Sequence, residues 1–375
     1  MRSLGALRDK LPCLMATAAS VLLALSVAAA PARAQETFPY PSPDELEPYT
    51  HPQQLVEVAP GQRLNLYCTG SGSPTVVMDA GFGNSAWVWA VVQPAVAGLT
   101  RVCSYDRAGE GFSDPGPLPR TSSAIVADLH AALSASGESP PYVLVGHSFG
   151  GLNVTLYTYL HREQIVGLVE VDPGVAGQDV RFAEQIPALG NQVYELNSQG
   201  LEGWRNCANL ARAGALADPA QQTQAGCHPS DDPAAPAFQQ ALDFFFARAS
   251  QWETLASEFE NLTATQPGVQ PTDTREVWAA RRALGGGRRP LGALPLVVLQ
   301  AGDLSDLPFS SDVQSADFQV RTEMLGRLAA QSEQGVRVVV PNATHYIQNY
   351  QPQTVIDAIR QVVCAAQAGT LSSCE

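Results

Sequence analysis

The residues best placed to do chemistry lie in the run Val143-Leu144-Val145-Gly146-His147-Ser148-Phe149-Gly150-Gly151, a G-x-S-x-G pattern. It follows an apolar strand-like run and precedes a helix-like one. A serine on such a strand-to-helix turn projects its hydroxyl above a sheet. Glycines two positions to either side leave room for the turn and for helix–strand packing. The helix N-terminus then faces any negative charge that develops at the site. The chemistry implied is nucleophilic attack by Ser148.

Serine is a weak nucleophile at neutral pH and needs a base. Of six histidines, His345 follows the last strand-like run, Val336–Val340, in a loop that could reach over the sheet edge. His147 adjoins the serine but should point away from it. His51, His130, His161 and His228 read as surface or internally satisfied residues. An oxyanion needs two fixed N–H donors. The Phe149 amide is one. The other is expected in the loop Asp79-Ala80-Gly81-Phe82-Gly83-Asn84, at Phe82.

Several runs together resemble the bacterial α/β-hydrolase superfamily. They are Asp79-Ala80-Gly81-Phe82-Gly83, Tyr105-Asp106-Arg107-Ala108-Gly109-Glu110-Gly111-Phe112-Ser113-Asp114, the turn at Ser148, and Thr344-His345-Tyr346-Ile347 with Gln351-Pro352. The similarity covers roughly residues 60–175 and 290–365. It implies an acid that orients His345, either at the end of one strand, Asp172, or after the next, Asp306 or Asp303. It makes Asp106 and Arg107 a bracing turn. It also implies adjacent strands carrying Cys68 and Cys103, hence a disulfide between them.

The elements that must position these groups are legible as alternation. Short apolar runs at 63–68, 75–78, 101–105, 142–146, 166–171, 296–299 and 336–340 read as strands. Helical spacing at 122–135, 149–161 and 354–366 falls between them. The expected class is α/β: an α/β-hydrolase fold with a mostly parallel central sheet, helices on both faces and a helical cap insertion. The cap is expected at 173–293, with helices near 235–249 and 252–259, inside one domain spanning 35–375. Residues 35–55 read as an irregular arm. Trp87, Trp89 and Phe244-Phe245-Phe246 are candidates to line an acyl pocket.

Residues 1–34 read as a cleaved export signal: Arg2, Arg8 and Lys10, an apolar run, then Ala32-Arg33-Ala34. A secreted or periplasmic location is expected, without stable membrane insertion. Of the seven cysteines, Cys13 leaves with the signal. Cys207–Cys227 and Cys364–Cys374 are expected to pair as sequence neighbours. The chain carries a formal charge of −14, and losing the signal makes it more acidic. Such a surface excludes nucleic acid as a partner. No metal or organic cofactor is expected. The expected function is hydrolysis of a small-molecule or polymeric ester through an acyl-enzyme. An aminopeptidase or amidase on the same residues, and a catalytically silent binding module, are the alternatives.

Overall fold

The structure, a computed structural model, describes residues 41–228, 236–305 and 309–371. The expected signal, Asp306 and Cys374 lie outside the described residues, and with Cys374 the third expected disulfide.

Eight strands form one sheet: β1 (Gln54–Ala59), β2 (Gln62–Thr69), β3 (Thr75–Asp79), β4 (Val102–Tyr105), β5 (Tyr142–His147), β6 (Ile165–Val171), β7 (Leu296–Ala301) and β8 (Gly335–Val340). Their order is β1-β2-β4-β3-β5-β6-β7-β8. The β1–β2 and β2–β4 pairs are antiparallel and the rest parallel. Helices α1 (Pro43–Leu46), α2 (Gln93–Ala97), α3 (Ser122–Ala135) and α4 (Phe149–Leu160) precede β6. Between β6 and β7 come α5 (Gln178–Gln185), α6 (Gln192–Arg212), α7 (Pro219–Ala225), α8 (Pro236–Ala247), α9 (Ala249–Leu262) and α10 (Thr272–Ala283). Among the described residues that interval holds no strand. Then follow α11 (Ser311–Ala329), α12 (Ile347–Tyr350) and α13 (Pro352–Ala368).

The mostly parallel sheet is as expected, and its strands show why their apolar runs are continuous. Successive side chains point to opposite faces, and both faces are covered. Leu144, Leu168 and Val298 join a core with Leu129 and Leu133 of α3 and Leu152 and Leu156 of α4. Val143, Val145, Val169 and Leu299 join another with Val355, Ile359 and Val362 of α13. A polar residue at any of these positions would be buried on one face or the other.

Cys68 and Cys103 face each other in the β2–β4 register and are disulfide-bonded, as are Cys207 and Cys227. Two elements depart from the sequence expectation. Where an arm was expected to run to 55, β1 begins at Gln54, alternates through Leu55-Val56-Glu57-Val58, and turns at Gly61 (φ +75°) into β2. The second is α11, whose buried face includes Asp317 and Arg321 beside Val320 and Met324. A polar pair on the inner face masks the helical apolar stripe. Among the described residues no helix is long and apolar enough to cross a membrane.

Candidate active site

The carboxyl ends of β3, β5, β6, β7 and β8 share one rim, because those strands run parallel. The candidate residues lie in the segments that leave that rim. At its centre β5 ends at His147 and α4 begins at Phe149, so Ser148 alone must make the turn. Its backbone sits at φ +53°, ψ −120°, a region that side-chain-bearing residues avoid. The flanking glycines make this possible. A Cβ on Gly150 would lie 2.3 Å from the Asp79 carbonyl, and one on Gly146 2.5 Å from the Gly150 carbonyl. The turn is pinned on both sides: Ser148 N–H donates to the Val171 carbonyl (3.2 Å), and its own carbonyl accepts from Gly151 (2.9 Å) and Gly174 (2.7 Å).

His345 sits in the loop after β8, with Nδ1 2.7 Å from Asp172 Oδ2. Asp172, the residue after β6, has φ +39°; among the described residues the only other non-glycines at positive φ are Ser148 and Asn342. Its amide donates to the Leu299 carbonyl (2.8 Å). Its Oδ1 accepts from the Ala301 N–H (3.0 Å). Burial pushes the Asp172 carboxyl up, but the His345 hydrogen bond and charge, Arg321 at 4.0 Å and the Ala301 amide outweigh it. The net direction is down, so the group is a carboxylate. A carboxylate accepts, so His345 carries its proton on Nδ1 and offers Nε2 as a base.

The structure thus brings Asp172 to His345. Asp303 goes elsewhere: its Oδ1 accepts from the Ser305 N–H (2.8 Å) and its own amide donates to Ala343 (3.0 Å). The third expected acid, Asp306, is not among the described residues.

The loop after β3 lies against the serine. A Cβ on Gly81 would meet Ser148 Cβ at 3.2 Å and His147 Nδ1 at 2.8 Å, so glycine permits the approach. Among the described residues neither the Phe82 nor the Phe149 N–H has a hydrogen-bond partner. Arg107 braces this loop from below. Its guanidinium donates to the carbonyls of Ala80 (2.7 Å) and Gly81 (2.8 Å), to Asp79 (3.0 Å) and to Glu258 of α9 (3.2 Å), and lies 3.1 Å from Glu110. Asp106 does the same beside it, accepting from Ala86, Phe112 and Asn65.

Sequence reasoning missed four neighbours of the site. His147 Nε2 lies 3.0 Å from the His345 carbonyl. A carbonyl only accepts, so Nε2 carries the proton, and burial holds this imidazole well below its usual range. It fixes the loop that carries His345. Trp204 and Phe259 pack on the Phe82 ring, with centroids 5.5 and 5.6 Å away. Glu258 reaches Arg107 from a helix with no local motif. Only His147, inside the G-x-S-x-G run, left a readable signal. The aromatics that were candidates for a pocket have definite neighbours. Trp89 is buried beneath the sheet, and Phe244 is half exposed, stacked on Phe112. Trp87 packs on Phe238, and Phe246 on Trp252.

Among the described residues one grouping, Cys68, Cys103 and Glu138, is close enough to hold a metal ion. The two sulfurs are bonded to each other and are not free thiolate ligands.

Known proteins resemble this chain in sequence and in fold. A family model described as the alpha/beta hydrolase family matches residues 76–358. Protein YqjL of Bacillus subtilis (strain 168) is 33% identical over 106 residues, 28% of this chain and 42% of that protein. The chain spans less than half the length of the first curated relatives it matches. A haloalkane dehalogenase loop variant from Bradyrhizobium elkanii superposes with TM-score 0.57 at 17% identity, over 85% of this chain and 97% of that one. An epoxide hydrolase structure from metagenomes of hot environments superposes with TM-score 0.58 at 16% identity, over 82% and 97%. At such identities the likeness is one of fold.

Proposed function

The chain belongs to the alpha/beta hydrolase family, and from that premise we propose that it is a serine hydrolase that cleaves carboxylic esters through an acyl-enzyme. One observation carries the reading: a histidine held by a buried carboxylate at 2.7 Å, on the same rim as a serine whose backbone is strained to +53°.

Ser148 Oγ attacks the ester carbonyl as His345 Nε2 takes its proton. Asp172 keeps Nδ1 protonated and stabilises the imidazolium. The Phe82 and Phe149 amides receive the oxyanion; removing one such donor costs roughly 10²–10³ in rate. His345 returns the proton to the leaving alkoxide, then activates the water that releases the acid. The scheme calls for no cofactor. Ser148 and His345 are only 3% and 7% exposed, so the step takes place away from bulk solvent. Helices α5–α10 act as a cap over the rim, and Phe82, Trp204 and Phe259 favour an apolar substituent.

Serine chemistry separates this reading from those of the structural neighbours. Displacing halide or opening an epoxide with a serine would leave an alkyl ether, which water does not cleave. Only acyl transfer lets Ser148 turn over. The two disulfides among the described residues support an oxidising, exported location.

The test is a nitrophenyl ester series of increasing acyl length, with fluorophosphonate labelling, on the protein and on Ser148→Ala. Hydrolysis and labelling should both vanish in the variant, by ~10⁴-fold or more. Folded protein that labels at Ser148 and cleaves anilides but no ester would replace esterase with amidase. Protein inert to all of them would be a binding module.

A further inference from the structure

One groove among the described residues is not lined by Ser148. It measures about 950 Å³ and lies between α4, α10, α11 and the loop 285–292. That is at the upper end of the range for small-molecule sites. Its inner end is Gly174, whose N–H donates to the Ser148 carbonyl.

Its composition departs from that of the molecule. The chain carries a net charge of −14 with 22 basic residues, yet five arginines ring this one groove: Arg181, Arg281, Arg288, Arg289 and Arg327. Arg327 pairs with Glu323. Arg281 donates only to neutral oxygens, those of Gln331 and Gly287. Among the described residues no carboxylate lies within ion-pair distance of Arg181, Arg281, Arg288 or Arg289. Like charges crowded together repel, and a bound anion relieves that repulsion.

The floor has the opposite character. Leu152, Val277, Met324 and Leu328 line it, with Trp278 at the edge, 38% exposed. The loop that supplies two of the arginines reads Gly285-Gly286-Gly287-Arg288-Arg289. Gly285 and Gly286 sit at positive φ with open space around Gly285 and Gly287, and their N–H groups donate to the Arg282 and Arg281 carbonyls (3.1 Å each), which turns the chain so that Arg288 and Arg289 face the groove.

We propose that this groove binds a single-chain amphiphilic anion, its apolar body on the Leu152–Met324–Leu328 floor and its phosphate or carboxylate head among Arg181, Arg288 and Arg289. Guanidinium forks match such oxyanions two bonds at a time, and the apolar floor separates this ligand from a bare ion. Ser148 does not line the groove, so the inference stands whether or not the protein cleaves esters.

The experiment is calorimetric titration with decyl phosphate and with decanoate, both below micelle formation. Inorganic phosphate and neutral octyl glucoside serve as the bare-anion and bare-chain probes. One saturable site is expected for an amphiphilic anion, weakening with salt. Affinity should fall at least tenfold in Arg181→Gln/Arg288→Gln/Arg289→Gln, and at least threefold in Arg288→Glu alone, with melting temperatures unchanged. Unaltered affinity in both variants overturns the proposal. So does inorganic phosphate or octyl glucoside binding as tightly as decyl phosphate. Retention on anionic vesicles without binding of the free amphiphile overturns it too, and makes the face a membrane-docking patch.

Discussion

Two buried charge clusters flank Ser148, and they are built in opposite ways. Around Arg107 one cation meets three carboxylates, Asp79, Glu110 and Glu258, all at most 2% exposed. Burial pushes Glu110 far up its range, and raises Asp79 and Glu258 with the Arg107 charge opposing it. Every Arg107 nitrogen already has an acceptor. Around His345 one carboxylate meets one base, its carboxyl is driven down, and the base keeps a nitrogen to offer. Ser148, after β5, and Asp172, after β6, both have positive φ, whereas Asp79, Arg107, Glu110 and Glu258 do not. A closed cluster, its cation saturated and its backbone ordinary, is scaffolding, although Asp79, Glu110 and Glu258 keep buried oxygens without hydrogen-bond partners. A cluster with an imidazole nitrogen to offer and stored backbone strain can do chemistry.

The largest expected effect follows from that difference. Asp172→Asn should leave the fold intact and lower kcat by ~10³–10⁴, because an amide cannot hold the His345 tautomer or its cation. Asp303→Asn should change kcat less than about threefold. Ester kinetics on the two purified variants would check this. The reverse order would move the acid away from Asp172 and remove the basis for setting the two clusters apart.

This pair also marks how far the sequence could be read. The mostly parallel sheet and the candidates Ser148 and His345 were legible because each carries a local signal: a period, a turn motif or a strand end; Cys207–Cys227 was read from sequence neighbourhood and Cys68–Cys103 from the family resemblance. The acid was not. Asp172, Asp303 and Asp306 all follow strands, and only the positive φ that turns Asp172 toward the rim separates it from a strand-end cap. The alternation of β1 was present but followed a Pro-rich stretch. Helix α11 was hidden by its buried Asp317–Arg321 pair. Trp204, Phe259 and Glu258 act through long-range packing, which no window of sequence contains.

A second variant tests whether the closed cluster serves the open one. Glu258 sits on α9 of the insertion and accepts from Arg107, which holds the Ala80 carbonyl and the Gly81 carbonyl, the latter in the same peptide as the Phe82 N–H. Glu258→Gln keeps the shape but weakens that brace. Its kcat and its rate of fluorophosphonate labelling should fall together by ~10-fold, with KM little changed, the pattern of an interaction made in the transition state. Restoration by Glu258→Asp would not occur, since the shorter chain cannot span the gap. A loss confined to thermal stability would show the cluster to be scaffolding alone, with no hold on the oxyanion loop.

The smallest effect concerns Asp273, an outlying member of the closed group whose titration feels Glu258. It lies on α10, fully buried, with Oδ1 accepting from the Ser122 N–H at the start of α3 (2.8 Å) and Oδ2 without a partner. Burial pushes this carboxyl up to about 8, against the Ser122 hydrogen bond and with help from Glu276. An unfolded aspartate titrates near 4. Between those values the native state holds a proton that the unfolded state has released, so stability falls as pH rises. The contribution is complete below about pH 4, is drawn down across the window, and is gone above about pH 8. Asp273→Asn keeps an acceptor for Ser122 and cannot ionise. Its melting temperature relative to the parent should therefore rise between pH 5 and pH 8.5, by about 2 °C or more. A difference that does not vary with pH would mean that Asp273 is already ionised in the folded protein. The burial that separates the closed cluster from the open one would then not extend to α10.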